Sequence, residues 1–335
     1  MGALSTTIVT TEAALTSLAE AWWGLWRRCP VATPFQSPAW LIPWWRAFRP
    51  GALRTAAVHE GDALVALAPL YREEGALGRR LLPLGVSVSD YLDVLVDPAC
   101  PTAGPALVRA MADADRWDTL GLEELAPGAA ALALAAPAGV RDAVEPQSPC
   151  PVLTLPAGAG RLGEVVPAST LRNLRTARRR AERRQGFAIE AVGSGAMGAF
   201  LDDLFRLHRA RWAARGEAGV LDDPRVRAFH QEAAPALAAA GLARCLAMRL
   251  EEQVVGAYYG FADGARAYYY LGGFDPAFGF ESPGTLLLGQ AVEAAAADRL
   301  AEFHFLRGQE AYKYQWGAVD RWSVRRVLAR DGAVA

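Results

Sequence analysis

Apolar and polar positions change their period several times along the chain, and each change marks an expected element. AEAWWGLWRRC and FQSPAWLIPWWRAF carry apolar residues at helical spacing, with Ser37 and Pro38 placed as an N-cap and first helical position. LRTAAVHEG and DALVALAPLYRE are two apolar runs around Gly61-Asp62, the pattern of a β-hairpin. LLPLG and YLDVLVD read as short strands, and PTAGPALVRAMADA as a helix before WDTLGLEEL. The first 150 residues are therefore expected to form a mixed α and β domain.

An Ala, Pro and Gly-rich stretch from Pro127 to Pro167, holding one strand at PVLTLP, separates this part from the second domain, placed at 151–335. There a basic helix is expected over 169–186, then the strand FAIEAV and two helices, MGAFLDDLFRLHRARWAARG and PRVRAFHQEAAPALAAAG. Three strands follow, LARCLAMRLE, QVVGAYYGFAD and ARAYYYLGGF, with turns at Glu251-Glu252 and Asp263-Gly264. The chain closes with the helix SPGTLLLGQAVEAAAADR, the strand AEFHFLR, the short helix QEAYKYQW and the strand RWSVRRVLAR. Helix, helix, three strands, helix, strand, helix, strand is the element order of the α/β acyl-CoA N-acyltransferase (GNAT) fold.

Composition narrows the chemistry. With 335 residues, 52% hydrophobic and 21% charged, the chain is long enough for two cores. A net charge of −1 supplies no field for DNA or an anionic membrane. Four cysteines lie scattered without metal-ligand or disulfide spacing, no apolar run approaches a membrane span, and a cytoplasmic location is expected. His59, His208, His230 and His304 show no ligand spacing, and no metal is expected. GAGRLG at 158–163 spells a dinucleotide-binding pattern, but Pro167 interrupts the helix that should follow and no β-α alternation surrounds it.

The charge is unevenly made. Lys313 is the only lysine and Asn173 the only asparagine, against a background of arginine. A position that stays lysine under such a bias suggests a need for an ammonium, because lysine and arginine differ in shape and hydration. Seven arginines and one glutamate lie between Arg172 and Arg184. Such a run is either a solvated face or a contact for phosphate, with Arg172, Asn173 and Arg175 at its start.

TPFQSPAWLIPWW, LPLG with YLDVLV, STLRNLRTARRR, FRLHRARW, ESPGTLLL and FLRGQEAYKYQWG together resemble the CelD-type acetyltransferases, GNAT proteins related to the FemABX peptidyltransferases. Gly308, Glu310, Tyr312, Lys313 and Trp316 fall on that family's Gly-x-Glu-x-Tyr-Lys-x-x-Trp segment. His304 stands where the family often carries an acid. The resemblance implies two GNAT-like domains in tandem and transfer of an acyl group, acetyl being expected, from acyl-CoA to a primary amine on a small molecule, glycan or peptide. Ser282, Pro283, Gly284 and Thr285 then open the helix that meets the CoA pyrophosphate, with Leu271 and Gly272 beside the donor, although the family's usual glycine-rich loop is absent from GFESPGT. Glu310 is the candidate base, Tyr312 or Tyr314 the donor to sulfur, and Lys313 the positive charge at the oxyanion. Asp90, Tyr91, Arg172, Asn173, Arg211 and Trp212 are the candidate acceptor residues. Two other readings stay open: a FemABX-like transferase using aminoacyl-tRNA, with the basic helix on the tRNA, and an inactive GNAT scaffold in polysaccharide or lipid assembly.

Overall fold

The computed structural model describes residues 3–114, 116–156, 162–214, 216–330 and 332. Two compact units emerge, one comprising Met1–Ser148 with Arg321–Ala335 and the other Pro149–Asp320. The final strand thus clusters with the first unit, whereas the sequence pattern placed all of 151–335 together.

The first unit runs β1 (Leu4–Val9), α1 (Glu12–Ser17), α2 (Ala19–Arg28), α3 (Pro38–Phe48), β2 (Ala52–Leu53), β3 (Thr55–Glu60), β4 (Ala63–Ala68), β5 (Leu70–Gly75), β6 (Gly78–Pro83), β7 (Leu95–Val96), α4 (Ala103–Asp113), β8 (Thr119–Leu125), α5 (Ala130–Ala133) and the start of β9 (Val140–Thr154). The antiparallel sheet β1-β3-β4-β7 turns at Gly61, whose φ of 59° suits glycine. The apolar run DALVALAPLYRE divides at Pro69: β4 stays with β3, while β5 pairs with β6 and β2. Proline has no N–H for the ladder, so one continuous apolar run yields two strands. The Trp-rich segments supply core, with Trp22, Trp40 and Trp44 buried.

The second unit continues with α6 (Ala168–Ala181), β10 (Ala188–Ala191), α7 (Met197–Ala213), α8 (Pro224–Ala239), β11 (Ala243–Leu250), β12 (Gln253–Ala262), β13 (Arg266–Phe274), α9 (Pro283–Ala297), β14 (Glu302–His304) and α10 (Ala311–Gln315). The last strand, β15 (Val319–Arg330), pairs with β8. The basic helix ends five residues short of Gly186, and beyond its end Arg184 pairs with Glu251 and with buried Glu281. β10 to β13 form an antiparallel meander, and β13 pairs parallel with β14. The turn between β11 and β12 places both Glu251 and Glu252 at positive φ (50° and 67°), the two-residue turn whose twist matches a hairpin. Glu251 is held there by its N–H donating to the Gln185 carbonyl at 2.9 Å.

β9 is longer than the single strand expected at PVLTLP, extending through Pro146, Pro149 and Pro151. These prolines lack donors but still accept: the N–H of Phe305 donates to Pro151 at 2.9 Å and that of Gly308 to Pro149 at 3.2 Å. A core of Leu153, Leu174, Met248, Tyr258, Leu287, Val292, Phe303 and Trp316 lies between the meander, α6 and α9. On α7 and α8 sit His208 and His230, both buried, with Tyr259 between α8 and the sheet. Among the described residues no helix is long and apolar enough to cross a membrane.

Burial holds His208 down at about 4 and His230 at about 3. Both titrate near ~6.5 in an unfolded chain. Between about 6.5 and about 4 the unfolded state binds more protons, so stability falls as pH drops through that window. The urea midpoint should be flat above pH ~7 and fall below it, and His208→Leu should fall less steeply over pH ~4–6.5 than the parent. Parallel pH curves for parent and variant would contradict this.

Candidate functional site

The parallel pairing of β13 with β14 lasts only three residue pairs, Arg266 with Glu302, Ala267 with Phe303 and Tyr268 with His304. Beyond His304 the chain follows β9, through the Phe305 and Gly308 bonds already described, and β13 continues to Phe274 without it. The strands part, and a pocket of about 350 Å³ lies in the second unit along the freed part of β13. Its walls come from β12 (Tyr258), β13 (Tyr269, Gly272), α6 (Thr170, Asn173), α7 (Arg211), the start of α9 (Ser282 to Thr285) and α10 (Tyr312).

One wall is a helix end without a cap. Ser282 sits in the left-handed region (φ 54°, ψ 57°), and its hydroxyl turns back to the Gly279 carbonyl at 3.4 Å instead of capping the helix. Pro283 at the first helical position has no N–H, and no side chain caps the first turn. The N–H groups of Gly284 and Thr285 are therefore left without intrahelical partners at the positive end of a 15-residue helix. Such an end binds anions.

A second wall is phenolic. Tyr258 stacks on Tyr269, with centroids 5.1 Å apart and planes at 10°. Tyr269 in turn meets the edge of Tyr312, with ring centroids 6.5 Å apart, and burial pushes its hydroxyl above the usual phenol range while the nearby Arg211 charge pulls it back in part. Gly272 makes room for this: a Cβ there would lie 2.4 Å from the Tyr269 hydroxyl. Gly273 does the same for α7, since its Cβ would lie 2.6 Å from the main-chain nitrogen of His208. Burial, with the neighbouring Tyr269 and Glu310, pushes the Tyr312 hydroxyl well above the usual phenol range, while Arg211 pulls it back in part. Tyr312 is thus a protonated donor at any working pH.

Lys313 faces away from this wall. It is buried, and its ammonium donates to the carbonyls of Leu306 (3.2 Å), Arg307 (2.6 Å) and Gly308 (3.1 Å), with Glu310 at 2.9 Å. These carbonyls belong to the segment that leaves β13, where Leu306 (φ 60°) and Gly308 (φ 103°) take left-handed backbone. An ammonium can point donors at several oxygens around one atom, whereas a planar guanidinium cannot, so the sole lysine has a physical reason. The role expected for it, a charge at the oxyanion, does not fit this geometry: its protons are engaged by main chain and it does not line the pocket.

Of the other expected residues, Tyr312, Gly272, Ser282, Pro283, Gly284, Thr285, Asn173 and Arg211 converge on the pocket. Glu310 is exposed and tied to Lys313. The Tyr314 hydroxyl donates to Asp320 at 2.8 Å and does not line the pocket. Leu271, paired with Tyr259, and Trp212, whose ring lies 5.8 Å from His208, are also outside the lining. Arg172 is exposed on α6, and among the described residues neither it nor Arg175 has a carboxylate partner. Asp90 and Tyr91 are buried in the first unit, where the Tyr91 carbonyl accepts from Gln36 at 2.6 Å. The pattern missed Thr170, Tyr258 and Tyr269; the adjacent glycines in β13 were the available signal, since glycine inside a strand marks close approach. Gly158 and Gly160 of the dinucleotide-like motif lie outside the described residues. No group of three or more His, Cys, Asp or Glu side chains is placed to hold a metal among the described residues.

Residues 168–314 match a family model described as "Acetyltransferase (GNAT) domain". A search of curated proteins finds no match. Among solved structures the chain is similar to FemX (TM-score 0.66, 11% identity, 96% of each chain covered). It is also similar to the C-terminal domain of a putative lysylphosphatidylglycerol synthetase from Agrobacterium fabrum (TM-score 0.58, 14% identity, 96% of this chain and 93% of that one). A tandem GNAT protein from the clavulanic acid biosynthesis pathway aligns over 97% of this chain and 98% of that one (TM-score 0.50, 17% identity). At such identities the likeness is one of fold, and it extends through both units.

Replacing Lys313 by Met strands the carbonyls of 306–308 and should cost on the order of 3 kcal/mol in urea unfolding, with Lys313→Arg only partly restoring it. A loss below about 1 kcal/mol for Met would mean that water satisfies these carbonyls and that the ammonium is not structural.

Proposed function

Residues 168–314 match a GNAT acetyltransferase domain and the fold is FemX-like through both units, and on that basis we propose that the chain is a GNAT/FemABX-related acyltransferase that transfers an acyl group, acetyl in the simplest case, from acyl-CoA to a primary amine. The observation that carries this reading is the uncapped start of α9 opening into the same pocket as the Tyr312 hydroxyl. The open helix start suits a diphosphate, and Tyr312 offers a neutral donor to charge developing on a thioester.

The donor fits the residues present. The N–H groups of Gly284 and Thr285 would take the diphosphate, and Gly284 itself leaves space, since a Cβ there meets nothing closer than Phe274 at 3.5 Å. In the reaction the amine nitrogen forms a bond to the acyl carbon, and the carbon–sulfur bond breaks. The amine gives up a proton and the thiolate gains one. No carboxylate or imidazole lines the pocket among the described residues, so the amine proton leaves through water, with Glu310, whose charge acts on Tyr312, the candidate acceptor. A phenol held above its usual range would protonate a thiolate of pKa ~8.5 only uphill. Tyr312 therefore acts as a hydrogen-bond donor to the developing charge.

The exposed Arg172 and Arg175, flanking the pocket-lining Asn173, favour a second reading in which an RNA phosphate approaches α6 and aminoacyl-tRNA is the donor. Calorimetry with acetyl-CoA and longer acyl-CoAs separates the two. The first reading expects micromolar or tighter binding that changes little with salt; binding of aminoacyl-tRNA alone, falling steeply with salt, would replace it with the second. Tyr312→Phe should lower kcat by about 10²-fold while acyl-CoA affinity changes far less. Full turnover in that variant would remove Tyr312 from the reaction.

A further inference from the structure

Arg211 is the single charged side chain lining the pocket among the described residues, and it lacks the partner its neighbours have. On α7 and beside it, Arg206 pairs with Asp203 at 2.6 Å, Arg209 with Asp222 at 3.2 Å and Arg225 with Asp223 at 2.8 Å. The Arg211 guanidinium instead lies over the Phe274 ring at 5.1 Å, with its charge near the Tyr269 hydroxyl, while its Nε is buried with no partner. Arginine stays protonated, so the pocket holds a permanent positive charge and an unmatched buried donor. Leaving such a group unsatisfied is costly, and a bound anion is what relieves it.

This charge and the diphosphate end come from different elements, both of which meet the Phe274 ring. Arg211 comes from the last turn of α7, which packs on β13 at Gly273, whereas the free N–H groups belong to the start of α9. The guanidinium also lies near the reacting end of the pocket, since its charge acts on Tyr312 and on Tyr269, whose ring meets Tyr312 edge-on. Its planar fork matches a carboxylate. Resting on the acyltransferase reading, we infer that Arg211 binds a carboxylate carried by one of the two substrates next to the reacting centre. That carboxylate is either the far end of a dicarboxylic acyl group or the α-carboxylate of an amino-acid acceptor.

Two arms distinguish the sources in the full chain. The first compares succinyl-CoA with acetyl-CoA by calorimetry; the second compares glycine with glycinamide as acceptors, read by thiol release from acetyl-CoA. In one arm the wild type should prefer the carboxylated partner by roughly 10- to 100-fold, and Arg211→Gln should bring that ratio to within about twofold. Arg211→Lys, which keeps the charge but loses the fork, should retain part of the preference and serves if the Gln variant does not fold. Absence of preference in both arms, or a preference that survives Arg211→Gln, would overturn the inference. Failure of the acyltransferase reading would look different, because neither acyl-CoA would bind the wild type at all.

Discussion

Parallel pairing of β13 with β14 stops after Tyr268 and His304, and the separation of these strands is the constraint on which the site depends. A sheet that splits leaves main-chain groups without ladder partners, and unpaired buried backbone is expensive. The departing strand resolves this on two sides. Its N–H groups at Phe305 and Gly308 donate to prolines of β9, and its carbonyls at 306–308 are gathered by the Lys313 ammonium. With the split stabilised from behind, α10 places Tyr312 on the pocket while its neighbour Lys313 faces inward.

Polar groups are satisfied around the pocket and left open inside it. Arg184 ties the end of α6 to Glu251 and Glu281, next to the start of α9. The α9 amides and Arg211 have no such partners, although a Ser stands at the N-cap and carboxylates serve the arginines nearby. Both openings have the same sign. A pocket lined by free N–H groups, one guanidinium and phenol donors is built for an anionic ligand, as a thioester of a phosphorylated carrier is.

Much of this was legible in the sequence, for reasons that can be named. The meander at 243–274, its turns and the helix start at Pro283 follow from alternation, polar turn pairs and an N1 proline. The unusual status of Lys313 was visible in composition, but its partners are carbonyls, which no side-chain pattern records. Asp90 and Tyr91, expected at the acceptor, are held within the buried interior of the first unit, where an acid beside an aromatic looks the same in sequence as a binding pair. The return of β15 to the first unit depends on pairing with β8 some two hundred residues earlier, a long-range contact beyond any local signal. Tyr258 and Tyr269 were hidden for a further reason: β12 and β13 carry tyrosines on both faces, and a register shift at Tyr259/Gly260 breaks the simple alternation.

The central claim is that the open end of α9 is an anion site. Its most direct test is to follow the backbone amide resonances of Gly284 and Thr285 in ¹⁵N-labelled protein during titration with CoA. The account predicts that these amides shift together and saturate with the same affinity as the bulk signal. Saturable CoA binding that leaves both amides unmoved, with shifts confined to other segments, would contradict it.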